Sequence, residues 1–120
     1  MKSLKDSMWR NKSKLTLKDL LKYIPDNHFI WYIYELDAIG IAPQGLSMPD
    51  FEDIIINSQY GYQLSWADLN ELANNLLDIN DCLITANVGK ISYDDIKSKN
   101  NNVLYKIEIT DSTYWEINLR

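Results

Sequence analysis

Apolar and polar side chains alternate most regularly near the end of the chain. Residues 103–110 read VLYKIEIT and residues 113–120 read TYWEINLR, so each segment directs mainly apolar side chains to one face. The pair DS at 111–112 is a turn signal between them, and the three segments together predict a β-hairpin with one dry and one wet face. Residues 29–34 are apolar on both parities, which predicts a central strand covered on both sides.

Helical periodicity begins at three Ser or Thr residues that can cap a helix N-terminus. Thr16 with Asp19 resembles a capping box at the start of a first helix. Ser47 opens a second helix. Ser65 opens a third, whose apolar positions continue to Leu77 and whose other side is polar.

These segments define the expected fold. Residues 81–88 add a short strand, residues 92–99 add one helical turn, and residues 58–64 are expected to form a loop, which gives the order α-β-α-α-β-(α)-β-β. The order predicts an α+β fold: a mostly antiparallel sheet of about four strands with helices packed mainly on one face. Residues 1–15 are interpreted as a flexible basic N-terminal segment, and residues 16–120 as a single α+β domain.

Charge is distributed unevenly along the chain. The 120 residues carry a net charge of −5, yet residues 1–22 hold seven basic and two acidic side chains. The remaining residues therefore carry −10, and such an acidic body repels phosphate and favours a cationic protein partner. We expect no binding of nucleic acid by the body. The basic start is interpreted as a solvated segment, with contact to nucleic acid or anionic lipid as the alternative.

Length and composition indicate one globular domain in the cytoplasm. No run of eighteen apolar residues exists, so no membrane association through a spanning helix is expected. The opening residues lack the apolar region of a secretory signal, and the single cysteine, Cys82, excludes an internal disulfide.

Residues with obvious chemistry are few. His28 and Cys82 are single representatives of their types, which argues against zinc and against a Cys-His dyad. No glycine-rich phosphate loop is present. Glu35 and Asp37 lie two apart on a predicted strand and share a face, so they are the best candidates for carboxylate catalysis. We expect no cofactor and no enzymatic activity.

The remaining candidate site is an acidic surface with tyrosines at its rim. Carboxylates fall at a strand end and at two helix starts, and tyrosine is an effective interface anchor. The predicted partner-binding residues are Glu35, Asp37, Asp50, Glu52, Asp53, Tyr60, Tyr62, Asp68 and Glu71. Capping and helix-dipole effects explain acidic helix starts equally well, and both tyrosines have packing against the second helix as their alternative.

The chain resembles immunity proteins of bacterial toxin systems. The resemblance spans roughly residues 28–120 and rests on IWYIYELDAIG, GLSMPDFED, LSWADLNELANNLLDINDCLITA and IEITDSTYWEINLR. It implies a protein that binds a cognate toxin domain, often a cationic nuclease, and blocks it. An adaptor or regulatory protein-interaction domain is the first alternative, and a small carboxylate-dependent enzyme or sugar-binding module is the second.

Overall fold

The computed structural model describes residues 2–98 and 102–119. Lys99 and Arg120, which the sequence interpretation includes in a helical turn and in the last strand, lie outside these residues. The elements are β1 (Lys2–Ser7), β2 (Trp9–Arg10), β3 (Ser13–Lys14), α1 (Leu17–Leu21), β4 (Ile30–Gly40), α2 (Met48–Ile56), β5 (Tyr62–Ser65), α3 (Trp66–Asn75), β6 (Leu76–Asn87), α4 (Tyr93–Lys97), β7 (Val103–Thr110) and β8 (Tyr114–Leu119), with a 3-10 turn at Pro43–Gly45.

The described residues form a six-stranded antiparallel sheet in the order β1-β8-β7-β6-β4-β5, together with a small hairpin of β2 and β3. The α+β class and the antiparallel arrangement are confirmed, but the prediction of about four strands is wrong. The strands that the prediction missed in this sheet, β1 and β5, are its two edges. Both are short and largely exposed, so neither carries the apolar alternation on which the prediction depends.

The start of the chain contributes to the sheet. Leu4 of β1 pairs with Ile117 and Lys5 pairs with Glu116 of β8, while Met8 is fully buried. The N–H of Leu15 donates to the carbonyl of Met8 at 2.6 Å. Apolar residues are too sparse in this segment to show a period, so the sequence interpretation assigned it no strand. Its flexibility in solution stays a prediction.

Two boundaries differ from those expected. β4 continues past Glu35 to Gly40, because the side chains of Leu36 and Ala38 are still buried in the hydrophobic core on the helix face of the sheet. α3 ends at Asn75, and Leu76, expected on the helix, begins β6 directly. No Gly or Pro separates α3 from β6, so the switch from helix to strand leaves no mark in the sequence.

The local cap and turn signals are confirmed. Thr16 and Asp19 form a capping box, and the hydroxyls of Ser47 and Ser65 accept from the N–H groups of Asp50 and Asp68. The turn between β7 and β8 holds two consecutive residues, at positions 111 and 112, with φ of 50° and 58°. Positive φ at both central residues is the geometry of a tight hairpin turn.

Both faces of the sheet carry apolar clusters. The larger core includes residues of α1, α2, α3 and the sheet. On the opposite face, which we call the open face, the segment between β6 and β7 covers Tyr32, Tyr34 and Leu83 with Ile91 and Ile96. The expected burial on both faces is thereby confirmed for Trp31 to Tyr34, but it is wrong for Phe29 and Ile30, which are exposed at the start of the segment. No helix in the described ranges is long and apolar enough to cross a membrane.

Gly40 brings the end of β4 against the end of α3. A Cβ at this position would lie 2.4 Å from the carbonyl oxygen of Asn75, so only glycine permits the approach. Ile41, the next residue, donates its N–H to the same carbonyl at 2.9 Å. This junction fixes the loop that leads from β4 to α2.

Candidate protein-binding surface

Helix α2 lies along an edge of the sheet. β5 pairs with β4 only from Ile30 to Ile33, so the rest of β4 has no strand on that side within the described chain. α2 packs there. A carboxylate oxygen of Glu52 accepts the N–H of Ala38 at 2.8 Å, next to an irregularity in the β4–β6 register. The carboxylate thus satisfies a backbone donor of β4.

A groove lies on each side of α2. The first, which we call the helix-side groove, has a volume of about 400 Å³ between α2, β5 and α3. Its lining includes Phe51, Tyr62, Gln63, Leu64, Asp68 and Glu71. The second, which we call the open-face groove, has a volume of about 510 Å³ and is lined by Tyr34, Glu35, Leu36, Asp37, Ile56, Asp81 and Tyr93.

Glu35 in the open-face groove is held by two groups of α4. The Nζ of Lys97 lies 2.8 Å from its carboxylate, and the hydroxyl of Tyr93 donates a short hydrogen bond to the same oxygen. Partial burial alone would raise the pKa of Glu35, but the hydrogen bonds from Lys97 and Tyr93 and the lysine charge outweigh it and lower this pKa. The hydrogen bond to Glu35 raises the pKa of Tyr93 and also that of Lys97.

Asp37 faces another carboxylate in the same groove. It pairs directly with Asp81 of β6, and like charges in such a cross-strand pair destabilise a sheet. The side-chain amide of Asn80 donates to both carboxylates, at 3.1 Å to Asp37 and 3.0 Å to Asp81. Neither carboxylate has an ion pair with a residue that the structure describes.

The helix-side groove combines an apolar wall with an acidic rim. Tyr62 is half-buried and packs edge-to-face on Phe51 of α2, with ring centroids 5.1 Å apart. Asp68 and Glu71 are exposed on α3, and neither forms an ion pair within residues 2–98 and 102–119. Ile41 borders the groove with 69% of its side chain exposed.

The nine predicted residues therefore separate into three sets. Glu35 and Asp37 share the open-face groove, as their spacing predicts, while Tyr62, Asp68 and Glu71 share the helix-side groove. The other four lie on α2 or in the turn after it. Of these, Asp50, Asp53 and Tyr60 are exposed. The fourth, Glu52, accepts a hydrogen bond from the backbone of β4.

Sequence reasoning missed residues that complete the grooves. Asp81 and Tyr93 enter the open-face groove from β6 and α4, and Ile56 enters it from α2 with 76% of its side chain exposed. Asp81 is the first residue of the strand that the sequence predicts at residues 81–88. Only the β4–β6 register places it beside Asp37, and no local signal reports that register.

The surroundings of α2 come from a stretch of sequence without Lys or Arg. Between Lys22 and Lys90 the chain has ten carboxylates and neither basic residue type. Positive charge reaches the open-face groove through Lys97, which follows this stretch. The surface around α2 is consequently acidic, with exposed apolar side chains at positions 41, 54 and 56.

The two residues weighed for a Cys-His dyad lie apart from both grooves. Cys82 is buried on the core side, and burial raises the pKa of its thiol to about 12. His28 is exposed before β4. In the part of the chain that the structure describes, no group of three His, Cys, Asp or Glu side chains is arranged to hold a metal ion.

Comparison with models of protein families, with curated proteins and with solved structures found no match to this chain.

Proposed function

We propose that this chain is a non-enzymatic immunity protein that neutralises a cognate bacterial toxin domain by binding it through the acidic surface around α2. The observation that carries the proposal is the placement of carboxylates on both sides of one helix with few cations to neutralise them. A cationic toxin surface supplies the missing charge. Rim carboxylates accelerate such an encounter, and exposed apolar or aromatic residues then anchor the complex.

Four carboxylates are best suited to contact a partner. Asp50, Asp53, Asp68 and Glu71 are exposed and form no ion pair with a described residue. Glu52 is excluded from this set, because it accepts a hydrogen bond from Ala38. The toxin is expected to cover α2 and the adjacent face of α3.

The environment of Glu35 argues against a carboxylate-dependent enzyme. A general acid at neutral pH needs a raised pKa, whereas Lys97 and Tyr93 lower that of Glu35. Both side chains also occupy the carboxylate that a substrate would need. Glu35 is better explained as the residue that fastens α4 to the sheet.

Growth rescue tests the proposal. The chain is co-expressed with the product of the neighbouring reading frame, which the proposal predicts to carry a toxin domain. Survival is compared with that of a variant with Asp50→Asn, Asp53→Asn, Asp68→Asn and Glu71→Gln. Amides are used because they keep shape and avoid placing positive charge at a helix N-terminus. We expect the parent chain to restore growth and the variant to lose most of the protection.

The control removes charge elsewhere. Asp94→Asn with Asp95→Asn alters two exposed carboxylates of α4. This pair is expected to protect as well as the parent. Failure of the parent to protect against the neighbouring toxin would reject the immunity function, and full protection by the fourfold variant would reject the surface.

A further inference from the structure

The outer edge of β5 is an unoccupied edge of the sheet. β5 is the terminal strand, and no other described strand pairs with its outer side. Tyr62, Gln63 and Leu64 all line the helix-side groove. Since successive side chains of a strand point to opposite faces, three consecutive residues can border one groove only along the strand's edge. The groove therefore runs beside the backbone of β5.

This edge offers backbone hydrogen bonds. In an edge strand every second residue turns its N–H and C=O outward. Within the described ranges, no hydrogen bond from outside the β4–β5 pair reaches the backbone of Tyr62, Gln63 or Leu64. The edge also lacks the usual protection by charge. β1, at the other edge of the sheet, carries Lys2 and Lys5, whereas β5 reads YQLS.

The groove specifies the chemistry of an occupant. Half-buried Tyr62, which packs on the buried ring of Phe51, gives it an apolar wall, and Ile41 is exposed at its border. Asp68 and Glu71 give it an acidic rim without a described ion-pair partner. The wall and the carboxylates lie on the same face of the sheet, since Phe51, Tyr62 and α3 all pack on the larger core. An extended segment matches them when its basic side chains point toward α3, because their aliphatic stems can pack on the wall while their charged ends reach the carboxylates. Its alternate, apolar side chains then lie on the open face.

We infer that β5 receives an extended basic segment of the partner protein as a seventh strand of the sheet. The inference rests on the proposed function and adds the mode of recognition to it. Backbone hydrogen bonds hold the segment, while Asp68 and Glu71 select its basic residues. This mode explains why an exposed, uncharged edge lies between two acidic helices.

Titration of the ¹⁵N-labelled full chain tests the inference. The probe is the peptide acetyl-Lys-Val-Arg-Ile-Lys-amide. Its control is the same peptide N-methylated at every residue, which keeps each charge and side chain but removes the backbone hydrogen-bond donors of these residues. We expect amide shifts to concentrate at Tyr62–Ser65 with the first peptide. The N-methylated peptide should bind about tenfold more weakly, as the loss of two edge hydrogen bonds implies.

Variants separate the charge from the edge. Asp68→Asn with Glu71→Gln should weaken binding of the unmodified peptide by about tenfold or more, while Asp94→Asn with Asp95→Asn should leave it unchanged. Equal binding of the two peptides would overturn the inference, because charge alone would then suffice. Shifts centred away from β5, or none at millimolar peptide, would also overturn it.

Three further outcomes separate this inference from another occupant of the edge and from the proposed function. If sedimentation shows concentration-dependent assembly without peptide that Lys2→Glu with Lys5→Glu abolishes, the occupant is β1 of a second copy and the inference is wrong. If the peptide binds along β5 but the chain fails to protect cells, the edge site is supported and the immunity function is rejected. If protection depends on α2 but the peptide does not bind at β5, the immunity function is supported and the edge site is rejected.

Discussion

Glu35 is the residue at which the open face of the sheet and α4 are joined. Its carboxylate lies 2.8 Å from Lys97 Nζ and accepts the hydroxyl of Tyr93. The Lys97 ammonium also lies 5.5 Å from the centroid of the Tyr93 ring. These three side chains fasten the segment that covers Tyr32, Tyr34 and Leu83. A group with this environment is expected to make stability depend on pH.

The first prediction concerns acid stability. The folded-state pKa of Glu35 lies below its ordinary value of 4.5, so its contribution is complete above pH 4.5 and is lost as the pH falls through the folded-state pKa. Glu35→Gln removes this titration. We expect the variant to be less stable than the parent at neutral pH and to lose less stability on acidification, as measured by urea unfolding across the acid range.

Asp94→Asn serves as the control for this comparison, since Asp94 is exposed on α4. Its acid dependence should follow that of the parent. If Glu35→Gln has the same acid dependence as the parent, the pairing with Lys97 and Tyr93 contributes nothing to stability.

At the residue scale the sequence predicted what local chemistry determines. The Thr16–Asp19 capping box and the Ser47 and Ser65 caps follow from neighbours three residues apart. The shared face of Glu35 and Asp37 follows from the strand period. The contacts of Tyr93 and Lys97 with Glu35 could not be predicted, because about sixty residues of chain separate the partners and the strand register was not predicted.

At the element scale, α2 takes the place of a strand beside the second half of β4. Glu52 supplies the acceptor that a neighbouring strand would otherwise provide to Ala38. Covering an edge with a helix is one way in which proteins prevent edge-to-edge pairing. The helix that bears the candidate surface therefore also protects the sheet.

The second prediction tests this role. Glu52→Ala leaves the Ala38 N–H without its acceptor and is expected to lower the free energy of unfolding by about 1–3 kcal/mol. Glu52→Gln keeps a carbonyl acceptor and should cost less. Thermal and urea unfolding measure both values, with Asp53→Ala on the exposed side of α2 as the control. Equal loss for Ala and Gln would show that charge, not the hydrogen bond, is what matters.

Elements were predictable where a pattern continued for several residues. The β7–β8 hairpin and the first half of β4 show such a pattern, and both were correctly predicted to be β-structure. β5 has four residues and β1 is mostly polar, so each becomes a strand only through pairing with a neighbour. The helix-side groove is formed in part by β5, so it could not be predicted from the sequence.

At the scale of the whole molecule, the candidate surface and the two lysines of β1 lie toward opposite edges of the sheet. β1, with Lys2 and Lys5, lies at one edge of the sheet, while β5 and α2 lie toward the other. A cationic partner of the kind we propose would be attracted toward the acidic surface around α2. Association should accordingly slow as salt is added.

The most direct test of the acidic surface is the dissociation constant for the toxin domain, measured by calorimetry. Asp68→Asn with Glu71→Gln is compared with Asp94→Asn with Asp95→Asn, two pairs that change net charge equally. Our account predicts weakening by about 30-fold or more for the α3 pair and less than about threefold for the α4 pair. Equal weakening by both pairs, or tight binding by both, would contradict it.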